Sequence, residues 1–183
     1  MDVAVLGLGS VLMGDDAAGP HVLRLLEATL EPGPGLRFLD LGTPGPELAH
    51  VVEGLDALIV VDTVRTKGGI PGELRFYRRD DILRGPLPER LSPHDPGLKS
   101  ALAAAAFLGH APSEVLLVGI VPKEVRLGAG LSAEVRAALP SAVAAVTEEL
   151  RRLEVPCRRR AHPDLPDLFW ERPTTASTTP AAG

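Results

Sequence analysis

A chain of 183 residues with a single cysteine has room for one domain, or one domain and a tail, and can form neither an internal disulfide nor a cysteine metal cluster. Its 24 acidic against 19 basic side chains leave a formal charge of −5, which sets nucleic acid aside as the default partner. No apolar run is long enough to span a bilayer, and no basic stretch precedes an uninterrupted apolar one at the N-terminus, so a cytoplasmic protein without a signal peptide or membrane partner is expected.

Residues 3–8 form a short apolar run suited to a buried strand. Gly7-Leu8-Gly9 then lets the backbone turn, and Asp15-Asp16 stand at the mouth of a helix marked by Val22, Leu23, Leu26 and Leu30 on one face. Pro20 falls in the first turn of that helix, where a missing N–H costs little. Glu31-Pro32-Gly33-Pro34-Gly35 ends it. Residues 36–41 read as the second strand, and Gly42-Thr43-Pro44-Gly45-Pro46 as a tight loop opening a short helix over 47–53. Residues 57–61 are continuously apolar, hence a central strand, and they run into Asp62-Thr63. The stretch to the next strand, 73–77, is too short for a crossover helix, so that strand is expected to be antiparallel to its neighbour. Residues 78–91 read as a long polar loop with at most one helical turn, leading into Ser92-Pro93-His94-Asp95-Pro96-Gly97. An Ala-rich helix over 98–108, a strand over 114–120 and a loop over 122–130 follow. Ser132 is placed to cap the last helix, which runs to about residue 153 with Pro140 as a kink or break. After residue 155 the pattern fades into Pro, Thr and Ala, which predicts a loosely attached tail over 156–183 behind a domain over 1–155. The element order predicts an α/β fold: a three-layer sandwich with a five-stranded, mostly parallel sheet and one antiparallel edge strand.

In such a sheet, ligands sit outside the carboxyl ends of the strands. Gly7-Leu8-Gly9 after a strand, with Asp40 at the end of the next, has the look of a dinucleotide site. The third glycine of that fingerprint would fall at Leu12, however, and Asp15 and Asp16 would repel a pyrophosphate. Carboxylates in that place suit a cation better. Asp16 follows the first strand and Asp62 the third, and in doubly wound sheets those two strands are commonly neighbours. His94 lies on a long loop able to fold over the same edge. Two carboxylates and one imidazole suit a divalent transition metal and leave positions open for water or substrate. Spacing alone leaves the plainer roles standing: a helix cap for an Asp, a turn for another, a solvated His in a Pro-rich loop. His21, His50 and His110 read as packing or surface residues, and His162 lies in the tail. Arg158-Arg159-Arg160 reads as a solvated charge run, and nothing decides whether Trp170 docks on the body.

The chain resembles the hydrogenase maturation proteases, endopeptidases that trim the large-subunit precursor of [NiFe] hydrogenases. The resemblance rests on Gly7-Leu8-Gly9-Ser10 with Asp15-Asp16, Gly42-Thr43, Asp62, Ser92-Pro93-His94, Gly119-Ile120-Val121-Pro122 and Gly130-Leu131-Ser132. It covers residues 3 to about 153. The family pattern usually carries Asn at the position of Ser10, and often Gly at those of Ala17 and Leu41. The resemblance implies a nickel-dependent endopeptidase that acts as a monomer and removes a C-terminal peptide from the precursor. Asp16, Asp62 and His94 would bind nickel supplied by that precursor and would be the catalytic set. Asp15 is then either a group that orients a ligand or the cap of the first helix, and the cap is the preferred reading. Thr43 is either a contact to substrate backbone or a turn residue. No His-Glu-x-x-His helix and no Gly-x-Ser-x-Gly elbow offers other protease machinery, and Cys157 is poorly placed as a nucleophile. Two rival readings remain: a metal-binding chaperone of the precursor that cuts nothing, and a small nucleotide-binding α/β domain.

Overall fold

A computed structural model describes residues 1–84, 97–128 and 130–171. Five strands form the main sheet: β1 (Val3–Leu8), β3 (Leu36–Gly42), β4 (Ala57–Thr63), β5 (Leu74–Arg78) and β6 (Glu114–Ile120). Their order is β3-β1-β4-β6-β5; all neighbours are parallel except the edge strand β5, which runs antiparallel to β6. The fold class expected from the element order is the one observed. β1 and β4 are buried along their whole length because helices cover both faces.

Period-two alternation sorts the side chains of the central strands between two cores. Val3 and Val5, with Ile59 and Val61, face α1 (Ala18–Thr29) and α5 (Ala133–Arg152). Leu6 and Leu8, with Leu58 and Val60, face α2 (Leu48–Val52), α3 (Arg79–Arg84) and α4 (Leu98–Phe107). Helix α1 offers Val22, Leu23 and Leu26 to its core, the stripe that its spacing predicts, and Pro20 lies in its first turn. Helix α5 begins at Ser132, whose hydroxyl accepts a hydrogen bond from the Val135 N–H at 3.3 Å, and continues through Pro140 as one element.

Four details differ from the sequence reading. Strand β4 extends two residues further, so Asp62 lies within it and not beyond it. The polar stretch after β5 opens with the six-residue helix α3, anchored by the fully buried Ile82. Two three-residue strands, β2 (Leu30–Pro32) and β7 (Cys157–Arg159), form a separate antiparallel pair. Residues 156–171 therefore stay on the body: Arg160 N–H donates to Thr29 O and Asp164 N–H to Ala28 O, both at 2.9 Å. A 3₁₀ turn at Phe169–Glu171 then brings Trp170 edge-on to His21, with ring centroids 5.2 Å apart. The boundary at residue 155 marks where hydrophobic periodicity stops, not where packing stops. No helix among the described residues is long and apolar enough to cross a membrane.

Candidate functional site

Chain connections leave β1 and β4 in opposite directions. The path after β1 leads to β3 on one side, and the path after β4 leads to β5 and β6 on the other. The crevice at their carboxyl ends is the switch point of the sheet, where α/β proteins bind their ligands. Asp16 and Asp62 both belong to this crevice.

Glycines bring the two strand ends together. Gly9 has φ +121°, and a Cβ there would lie 1.9 Å from the Asp16 carbonyl oxygen. A Cβ on Gly19 would lie 2.2 Å from Leu8 O and 2.6 Å from Val61 O, so α1 rests directly on the ends of β1 and β4. A Cβ on Gly7 would meet Gly19 O at 2.8 Å. The space these glycines open is filled by the chain's own backbone, which removes the dinucleotide reading. Asp40, its ribose-binding candidate, is engaged with the Gly42 N–H at 3.1 Å and Arg24 at 3.3 Å.

Asp16 is half-buried in the 3₁₀ turn Gly14–Ala17 that leads into α1. One carboxylate oxygen accepts from the Ser10 N–H at 2.7 Å and the other from the Thr63 hydroxyl at 3.0 Å. The next backbone N–H, that of Thr63, donates to the carboxylate of Asp62 at 2.8 Å. Thr63 thus touches both carboxylates, that of Asp16 through its side chain and that of Asp62 through its backbone. Asp62 is 4% exposed. A carboxylate has about four acceptor directions, so the two hydrogen bonds on Asp16 orient it and leave capacity for a cation. Among the described residues no Lys or Arg pairs with Asp16. His94 lies outside the described residues, and the described ones contain no group of three His, Cys, Asp or Glu arranged to hold a metal ion.

Asp15 caps no helix, contrary to the preferred reading of the sequence. Neither the 3₁₀ turn nor α1 has a side-chain cap bond. Asp15 is fully buried, and its carboxylate accepts from the backbone N–H groups of Lys123 (2.8 Å), Glu124 (2.9 Å) and Ser132 (2.6 Å) and from the Ser132 hydroxyl (2.9 Å). Its own N–H donates to Glu124 O at 3.0 Å. It clasps the loop after β1, which carries Asp16, to the loop between β6 and α5. The other singled-out residues take plain places. Thr43 is exposed, His50 is exposed, and His110 pairs with Glu53 at the surface at 2.9 Å. His21 is 2% exposed and packs beneath Trp170. Burial pushes the Cys157 thiol above its ordinary pKa, which disfavours the thiolate a nucleophile needs.

The sequence model of the hydrogenase maturation protease family matches residues 20–149. Hydrogenase 2 maturation protease of Escherichia coli (strain K12) is 32% identical over 151 residues, covering 82% of this chain and 92% of that protein. Hydrogenase expression/formation protein HoxM of Azotobacter vinelandii is 37% identical over 150 residues, covering 81% and 72%. Among solved structures, the hydrogenase maturating endopeptidase HybD from E. coli superposes with a TM-score of 0.79 at 31% identity, covering 87% of this chain and 98% of that one. The [NiFe] hydrogenase maturation protease HybD from Thermococcus kodakarensis gives a TM-score of 0.62 at 31% identity, covering 81% and 99%. The family match takes in β4 and most of the helices packed on the two faces of the sheet, and the chain belongs to the hydrogenase maturation protease family and is an endopeptidase.

Proposed function

We propose that this endopeptidase removes a C-terminal peptide from the large-subunit precursor of a [NiFe] hydrogenase, and that it recognises the nickel already carried by that precursor. The reading rests on one observation above all: at the switch point of a hydrogenase maturation protease fold, Thr63 donates its hydroxyl to the carboxylate of Asp16 and its N–H to that of Asp62. Nickel is here part of the substrate. Two carboxylates and the imidazole of His94 form a donor set suited to a divalent transition metal with positions left open. Gripping the substrate's metal would fix the scissile bond against the sheet edge, and fixed placement of a reacting group lowers its barrier. Asp16 and Asp62 then bind and orient, while the Ser10 N–H and the Thr63 hydroxyl keep Asp16 aimed.

The test is cleavage of purified precursor, with and without nickel, followed by gel mobility. Wild-type enzyme is expected to trim the loaded precursor and leave the unloaded one intact. Asp16→Asn and His94→Ala should melt within a few degrees of wild type yet lose about 100-fold or more in cleavage rate, the scale set by misplaced reacting groups. Efficient trimming of unloaded precursor would remove the recognition role, and full activity of either variant would remove that residue from the site.

A further inference from the structure

A groove of about 480 Å³ is lined in part by the loop that carries Asp16. One wall is Val11, Leu12 and Gly14 of that loop and the other Leu127, Gly128, Gly130 and Leu131 of the β6–α5 loop; Trp170, edge-on to the buried ring of His21, lines it too. The Gly128 N–H donates to Leu12 O at 2.9 Å, and the Asp15 clasp joins the same two loops, so the groove is formed before anything enters it. Leu12 is 62% exposed and Leu127 70% exposed. The charged group lining the groove is Glu171, and its carboxylate is already engaged by Arg136 at 2.8 Å and His21 at 3.0 Å. Among the described residues a charged ligand finds no free counter-charge there, and an apolar one finds leucines on both walls. A Cβ built on Gly130 meets nothing within 4 Å, so the missing side chain there satisfies no packing need of the chain itself.

We infer that this groove binds an extended, uncharged and largely apolar segment of the precursor polypeptide beside the cleavage point. The inference rests on the proposed function, since it takes the precursor as substrate. An endopeptidase must hold its chain away from the reacting atoms as well as at them, and binding energy from such remote segments orients the scissile bond. The groove shares a wall with the loop of Asp16, so a segment lying in it is within one loop's width of the crevice. Gly130 leaves room for a peptide backbone to approach.

Trp170 is the chain's one tryptophan and lines the groove, so its emission reports occupancy without any need for cleavage or metal. Short tryptophan-free peptides, tiled across the C-terminal segment of the precursor, are titrated into the full-length enzyme. At least one peptide should shift the emission saturably. Gly130→Val fills the open space and Leu127→Ser removes an exposed apolar wall; each should weaken binding about tenfold or more, the scale for a changed contact in an apolar pocket, with melting temperature unchanged. Leu127→Ser keeps the test alive if Gly130→Val misfolds. No shift with any peptide, or binding by both folded variants equal to that of wild type, overturns the inference. So does a concentration-dependent dimer of the free enzyme that Leu127→Ser disperses, which would give the groove to a second copy. A shift in the emission of the free enzyme on deletion of residues 172–183 would give the groove to the chain's own C-terminus, and would overturn the inference as well. The cleavage assay on loaded precursor is run separately: failure there with peptide binding intact defeats the proposed function and not the groove.

Discussion

Two adjacent carboxylates, Asp15 and Asp16, have opposite surroundings. Asp15 is sealed from solvent and takes four hydrogen bonds from two segments more than a hundred residues away. Asp16 is half-exposed and takes two, from Ser10 and Thr63. The first holds loops together and the second faces the crevice. Asp15→Asn replaces an acceptor pair by one acceptor and one donor, and the new donor faces backbone N–H groups that also donate. A loss of roughly 2–4 kcal/mol is expected, since at least one buried N–H is left without an acceptor. Because Asp16 sits on the clasped loop, cleavage by folded Asp15→Asn should also fall, by about 10–100-fold, if Asp16 binds the metal as proposed, the usual effect of removing a group that orients a ligand. Chemical denaturation and the precursor assay check the two parts; a variant with wild-type stability would show that the clasp is idle. The sequence marks both aspartates but not their division of labour. The donors that separate them come from Lys123, Glu124 and Ser132, and only the fold brings those within reach. The reading of Asp15 as a cap fails for that reason.

At the scale of elements, the last helix is tied to the sheet by charge as well as by its apolar stripe. Glu149 on α5 is 4% exposed and accepts from Arg78 of β5 and from Arg152 one turn on, while Arg152 also reaches Glu114 of β6. Burial by itself raises the Glu149 carboxyl; the hydrogen bonds from Arg152 and Arg78 together outweigh it and hold the carboxyl below the ordinary glutamate value. A pKa lowered on folding contributes stability that is present above the unfolded value and is lost as pH falls through the folded one. Glu149→Gln should therefore cost roughly 2 kcal/mol at neutral pH, in line with hydrogen bonds to charged groups. It should also flatten the fall in stability between about pH 5 and pH 3, the window around the ordinary glutamate value. Urea unfolding across that range decides it, and an unchanged acid slope would rule Glu149 out as its source. Elements are legible in the sequence where they are long or strongly periodic. The stripe of α1, the apolar run of β4, the Ser132 cap and the antiparallel β5 all follow from spacing and loop length. β2 and β7 are not, because three residues carry no period and one strand contains Pro32. Asp16 and Asp62 are legible as crevice residues from the strand order alone, whereas Thr63, which donates to both, carries no signal of its own beyond following Asp62.

For the molecule as a whole, the segment after α5 acts as a strap along α1. Strand β7 pairs with β2 at the C-terminal end of that helix, in register from Leu30 opposite Arg159 to Pro32 opposite Cys157. The strap then runs back toward the helix start: Arg160 N–H to Thr29 O, Asp164 N–H to Ala28 O, and the Arg160 guanidinium to Glu27 O at 3.1 Å. It ends over His21, whose ring touches Ala17 O at 2.8 Å and Glu171 at 3.0 Å. Helix α1 is the element that Gly7 and Gly19 press against the ends of β1 and β4, so the strap braces the same helix that positions Asp16. Low hydrophobicity of the segment does not argue against such a role, because its hold is through backbone hydrogen bonds and one aromatic contact more than through apolar area. Each hydrogen bond is worth about 1 kcal/mol net, and removing several at once from a domain of this size should lower the melting temperature by roughly 5–10 °C. Truncation after Val155 is expected to show that fall by calorimetry, and to uncover His21 to solvent exchange and chemical modification. Truncation after Glu171 keeps every one of these contacts and should melt well above the truncation after Val155. A segment held by composition alone would give the same melting temperature for both truncations; a strap predicts that they differ, and that the shorter protein loses order first at the N-terminal turn of α1, directly after the 3₁₀ turn that carries Asp16.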